Sequence, residues 1–83
     1  MRNLVLTDED DKIMAIIQTS NDLEIGKKTI QAIKDDGSYK EVELTDSINY
    51  KSKGDYHIIK ALCTDEDDEE YENVYYLTEV LIY

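Results

Sequence analysis

Proline, tryptophan and phenylalanine are absent from this chain, and cysteine and histidine occur once each. Without proline, no strand is interrupted by a missing backbone N–H. A lone Cys63 excludes an internal disulfide framework and a thiolate-cluster zinc site. Basic residues are scarce: 9 Lys and Arg stand against 20 Asp and Glu, a net charge of −11. A surface of that sign repels nucleic acid and anionic membranes, so neither is expected as a direct partner. No apolar run approaches the roughly 18 residues of a membrane span. Leu4, Val5 and Leu6 are too few for a signal peptide, which points to a cytoplasmic protein. The 83 residues admit a single domain, 1–83. So short a chain buries only about 60% of its unfolded surface, which excludes a deep interdomain cleft and leaves a thin stability margin.

What is present favours strands. Ile, Val, Thr and Tyr number 27, while Ala, the best helix former, numbers 3. All seven aromatics are Tyr, which half-buries its ring and keeps its hydroxyl wet. The expected fold is mainly β: a small antiparallel meander or curved sheet, with at most one short helix within 20–34.

Along the chain, Leu4–Leu6, the acids Asp8–Asp11 and the apolar stretch Ile13–Ile17 read as a hairpin. Residues 19–34 read two ways. Gly26 and the spacing of Ile25 favour a loop with one helical turn, followed by a strand at 28–34. The alternative is a helix capped by Ser20 or Asn21 and running to about Ile33, with Leu23, Ile30 and Ile33 on one face. Asp36-Gly37 then predicts a tight hairpin turn with positive φ at Gly37. Lys40 to Tyr50 alternates with period two, broken at Asp46, and Ser52–Gly54 makes a turn. Tyr56–Cys63 reads as a central strand, Asp65–Glu72 as an acidic loop, and Val74–Tyr83 as the last of six strands.

No catalytic, cofactor-binding or metal-binding constellation emerges. An EF-hand loop from Asp65 needs Gly at position 6 and Glu at position 12, and finds Glu70 and Tyr76. His57 and Cys63 share a strand face but lie about 20 Å apart at strand rise, too far for base and nucleophile. Cys63 reads as a small buried apolar residue. Gly26, Gly37 and Gly54 are isolated and form no phosphate-cradling loop. The chain is expected to be no enzyme.

Residues 29–82 resemble the small acidic Firmicute DUF1292 (UPF0473) family. The resemblance rests on Asp35-Asp36-Gly37, the strand Lys40–Glu43, the tract Asp65–Glu70 and the closing Val74–Val80. It implies a bacterial host cell and a small interaction module, and it brings no activity and no catalytic residues. Residues 1–28 fall outside it.

The charge carries the remaining signal. In a six-strand meander, Asp8, Glu9, Asp10, Asp11, Asp35, Asp36 and the tract Asp65, Glu66, Asp67, Asp68, Glu69, Glu70 and Glu72 share one end. That is 13 of the 20 acids. Tyr71 beside the tract offers apolar contact area. The pattern fits a nucleic-acid mimic whose carboxylates occupy the basic groove of a protein partner. In size, charge and lack of catalytic residues it is similar in kind to small phage inhibitors of defence nucleases, including anti-CRISPR proteins. A solvated loop that only keeps the protein soluble is the plainer reading. A homodimer through edge strands at 3–7 or 74–83 is the third.

Overall fold

A computed structural model describes residues 1–45 and 56–80. Its elements are β1 (Arg2–Thr7), β2 (Ile13–Thr19), a short 3-10 turn (Asp22–Glu24), α1 (Ile25–Gly37), β3 (Glu41–Leu44), β4 (Tyr56–Thr64) and β5 (Glu70–Val80). The protein is mainly β with one short helix, as expected. The strands form one curled antiparallel sheet in the order β2-β1-β5-β4-β3.

Three expectations are corrected. The sheet is no meander, because β5 inserts between β1 and β4. Strands at 3–7 and 74–80 are therefore interior, and the edges among the described residues are β2 and β3. The segment 28–34 is helix, not strand. Asn21 caps the 3-10 turn that precedes it, its side chain accepting from the Leu23 N–H at 3.0 Å, whereas α1 itself begins after Glu24, which makes no side-chain cap. The buried face is Ile25, Thr29 and Ile33, at i, i+4 and i+8, while Leu23 is 90% exposed. Thr29 hides this stripe from a sequence reading. Its hydroxyl donates to the Ile25 carbonyl at 2.8 Å, so a polar residue enters the core with its hydrogen bond satisfied. The Asp46 irregularity, the Ser52–Gly54 turn and the far end of the Lys40–Tyr50 alternation lie outside the described residues.

The inner face of the sheet carries Leu4, Leu6, Ile17, Ile59, Ala61, Cys63, Tyr75 and Leu77, all buried, with Ile25 and Ile33 of α1 against them. Helix α1 packs on both edge strands, β2 and β3, and so spans the open side of the curled sheet. Arg2 ties the start of β1 to the end of β5: Nε and Nη2 donate to Glu79 at 2.8 and 3.2 Å, and Nη1 donates to Asp22 at 2.8 Å.

The expected Asp-Gly hairpin turn is instead a helix end. Gly37 is the last residue of α1, and the positive φ falls on the next residue, Ser38 (φ 54°, ψ 37°). Ser38 and Tyr39 both donate N–H to the Lys34 carbonyl, closing the helix. Gly37 is required for a different reason: a Cβ there would collide with the Tyr39 ring. That ring is held by its hydroxyl, which accepts from Asn73 Nδ2 at 3.1 Å. Ser38→Gly should therefore stabilise the fold by about 0.5–1 kcal/mol, because glycine adopts the left-handed region without steric cost. Denaturant melts of the two proteins measure it, and an unchanged or lower midpoint would refute the cap assignment.

Candidate acidic interface

Two hairpin turns in this molecule are the same turn. Thr7-Asp8-Glu9-Asp10-Asp11 and Thr64-Asp65-Glu66-Asp67-Asp68 are identical pentapeptides 57 residues apart. The first joins β1 to β2 and the second joins β4 to β5. In each, the fourth residue of the turn donates N–H to the carbonyl of the first: Asp11 to Asp8 at 3.2 Å, and Asp68 to Asp65 at 3.1 Å. Each leading Asp also donates its own N–H four residues on, Asp8 to Lys12 and Asp65 to Glu69. Asp11 and Asp68 take left-handed φ, 59° and 63°. This is the three-residue hairpin loop, a type I turn closed by a left-handed residue.

The carboxylates inside these turns do different work. Asp8 Oδ1 accepts from the N–H of Asp10 and of Lys12, at 2.9 and 3.0 Å. Asp65 Oδ1 accepts from the N–H of Asp67 and of Glu69, both at 2.9 Å. These two acids build the turns. Glu9, Asp10, Glu66 and Asp67 ride on the exposed loops with no such duty. Asp65→Ala should cost about 1–2 kcal/mol, whereas Asp67→Ala should stay within about 0.5 kcal/mol. Urea melts of both variants decide it, and equal costs would contradict the division of roles.

The strand register brings the acidic segments to one end. β1 runs to Thr7, which pairs Tyr76, and β5 starts six residues beyond that pair at Glu70. Thr64 pairs Glu70, so the second turn lies at that same end of the sheet, about 20 Å further along the strand. Helix α1 runs back along β2, and its last turn delivers Asp36 beside the first hairpin. The expected strand and meander are not what bring 35 and 36 to this end; the direction of α1 is. Asp8, Glu9, Asp10 and Asp36 line one cleft of about 220 Å³ with Tyr39 and Tyr75. Asp35 faces another way: it accepts from Gln31 Nε2 at 2.8 Å and borders a groove beside β2. Lys40 pairs with Asp68 across the second turn.

The tract is shorter as a loop than its composition suggests. The turn covers 65–69, and Glu70, Tyr71 and Glu72 already belong to β5. Tyr71 is 44% exposed and donates its hydroxyl to Glu69 at 2.7 Å. Cys63 is fully buried beside the Tyr75 hydroxyl, 3.9 Å away. Sequence reasoning missed Tyr39 and Asn73, which join helix end to sheet at this site. It also missed the repeated pentapeptide, a signal in plain view.

Two phenols here hold their protons unusually firmly. The hydrogen bond to Glu69, with that carboxylate's charge, pushes the Tyr71 hydroxyl up to about 12. Burial, then the neighbouring Cys63, raises Tyr75 as well. Both folded values exceed the unfolded value near 10. Their contribution is thus complete below pH of about 10 and is lost as pH climbs through the folded values. Melting temperature should fall above pH of about 10, and less steeply in Tyr71→Phe. A melting temperature level through that window would contradict the placement of both hydroxyls.

No protein family, curated protein or solved structure matches this chain.

Proposed function

We propose that this chain is a non-enzymatic acidic binding protein whose acidic end occupies the basic nucleic-acid groove of a protein partner, such as a defence nuclease. The observation that carries the reading is the gathering of acids from two like hairpin turns and the end of α1 at one end of the sheet. The two turns are offset by about 20 Å, roughly the axial rise of six nucleotides at about 3.4 Å each. Carboxylates spread over that length meet a groove built for phosphates.

Energetics favour this over a merely solubilising role. Asp35 and Asp36 sit in the last turn of α1, the negative end of the helix dipole, where acids are unfavourable. Asp11 and Asp68 hold a left-handed conformation that glycine adopts more cheaply. Solubility would be served by acids at relaxed positions. Acids kept at strained ones suit a surface whose charge has a use.

The test is capture from a bacterial lysate on the immobilised protein, followed by elution with duplex DNA. A retained nucleic-acid-handling protein that DNA displaces supports the reading. Retained proteins that DNA leaves in place would overturn it.

A further inference from the structure

Among the described residues, strand β2 is an open edge that lacks the usual protections. The opposite edge, β3, is four residues long and carries Glu41 and Glu43. Short charged edges resist pairing with another chain. β2 runs for seven residues, Ile-Met-Ala-Ile-Ile-Gln-Thr, with no charge and no proline. Ile13 and Ile16 are 63% and 65% exposed. They share the outer face because the register shifts between Leu6 and Thr7, so that Thr7 pairs Ile13 and Val5 pairs Ile16.

The direction of the free backbone groups follows from one contact. Lys28 Nζ, on α1, donates to the Gln18 carbonyl at 3.0 Å. That carbonyl therefore points off the sheet, away from β1. In an antiparallel ladder the pattern alternates, so the N–H and C=O of Ile16 also point off the sheet while those of Ile17 face β1. Between β2 and α1 lies a groove of about 510 Å³, with Lys28 near one end and Asp35 and Asp36 at the other.

We infer that β2 pairs antiparallel with β2 of a second copy of this chain, about a two-fold axis through Ile16. Ile16 then exchanges both backbone hydrogen bonds with Ile16 of the second copy, and the two exposed side chains meet on the outer face. The charge pattern selects this occupant. Helix α1 runs opposite to β2, so the midpoint between Lys28 and Asp35 lies beside Ile16. The two-fold operation carries Asp35 of the second copy to Lys28 and the reverse, giving two equivalent ion pairs. Lys28 trades its Gln18 carbonyl for that carboxylate. A protein of charge −11 repels its own copies elsewhere, and this uncharged edge flanked by opposite charges is where the repulsion is relieved.

The test is sedimentation of the purified protein from about 1 μM to about 500 μM, a range that brackets a modest dimer. The mass should rise from 9.6 kDa toward twice that value. Ile16→Lys should weaken association at least about tenfold by placing two ammonium groups together at the axis. Lys28→Glu and Asp35→Lys should each weaken it severalfold, and the double variant should restore it, because the reversed pairs form again across the axis. Both positions are on the helix surface, and circular dichroism checks each fold. A wild type that stays monomeric throughout overturns the inference, even if its edge accepts a synthetic extended peptide. So does a dimer indifferent to Ile16→Lys, or a double variant no better than the singles.

Discussion

Arg2→Ala should lower stability by about 3–5 kcal/mol, the cost of taking from a buried carboxylate the guanidinium that grips it. A domain of this size is stable by only about 4–12 kcal/mol, so this single change removes a large share of the margin. The reason lies in Glu79. Its side chain is 5% exposed on the inner side of β5, and the Arg2 guanidinium grips both of its oxygens. Glu79 first and Asp22 second raise the affinity of the guanidinium for its proton. Arg2→Lys should recover only part of the loss, because an ammonium lacks the planar fork. Arg2→Met with Glu79→Leu should recover most of it, since a well-packed apolar pair replaces a buried ion pair at little cost. Denaturant unfolding of the four proteins measures the series. An Arg2→Ala variant within about 1 kcal/mol of wild type would show that Glu79 does not depend on this clamp.

That pair also marks where the sequence stops being legible. Arg2 and Glu79 lie 77 residues apart, and nothing local announces that a basic residue and an acid share a buried site. The hairpin at β1–β2 and the strand β4 were readable, because period and turn chemistry act over a few residues; among the described residues β4 lies next to the edge strand β3, and the centre of the sheet is β5. The position of β5 was not readable. Neighbours in sequence are neighbours in a sheet only about two thirds of the time, and the β1–β5 pairing joins residues about 70 apart, such as Thr7 and Tyr76, with no local pattern to announce it. Helix α1 was obscured by two letters. Thr29 interrupts the apolar stripe while satisfying its hydroxyl on the Ile25 carbonyl. Gly37 reads as a hairpin glycine, yet it is small only to admit the Tyr39 ring. Neither the meander nor the strand at 28–34 that placed the acids at one end by parity is present; Asp36 lies beside the first hairpin because α1 runs back along β2.

The second large effect concerns the acids themselves. Reversing Glu9, Asp10, Glu66 and Asp67 to Lys leaves the turn-building Asp8 and Asp65 in place. Each reversal adds two charges, moving the net charge from −11 to −3. The fold should persist, since these side chains carry no turn hydrogen bond. Binding to a basic groove should fall by at least about 100-fold, because four attractions become four repulsions. Any one Asp→Ala or Glu→Ala change among them should cost little, as a lone exposed pair is worth about 0–1 kcal/mol. Tyr71→Ala should cost more than any single acid, since an exposed ring beside the second turn supplies apolar anchorage.

The decisive measurement is a titration of the four-residue reversal against the DNA-displaced protein captured by the wild type, at low and at moderate salt. Folding of the variant is checked by its denaturation midpoint. Wild type should bind tightly and with strong salt dependence, and the folded reversal should lose nearly all binding. Full-strength binding by that folded variant would contradict the mimic and reduce both turns to solvated hairpins.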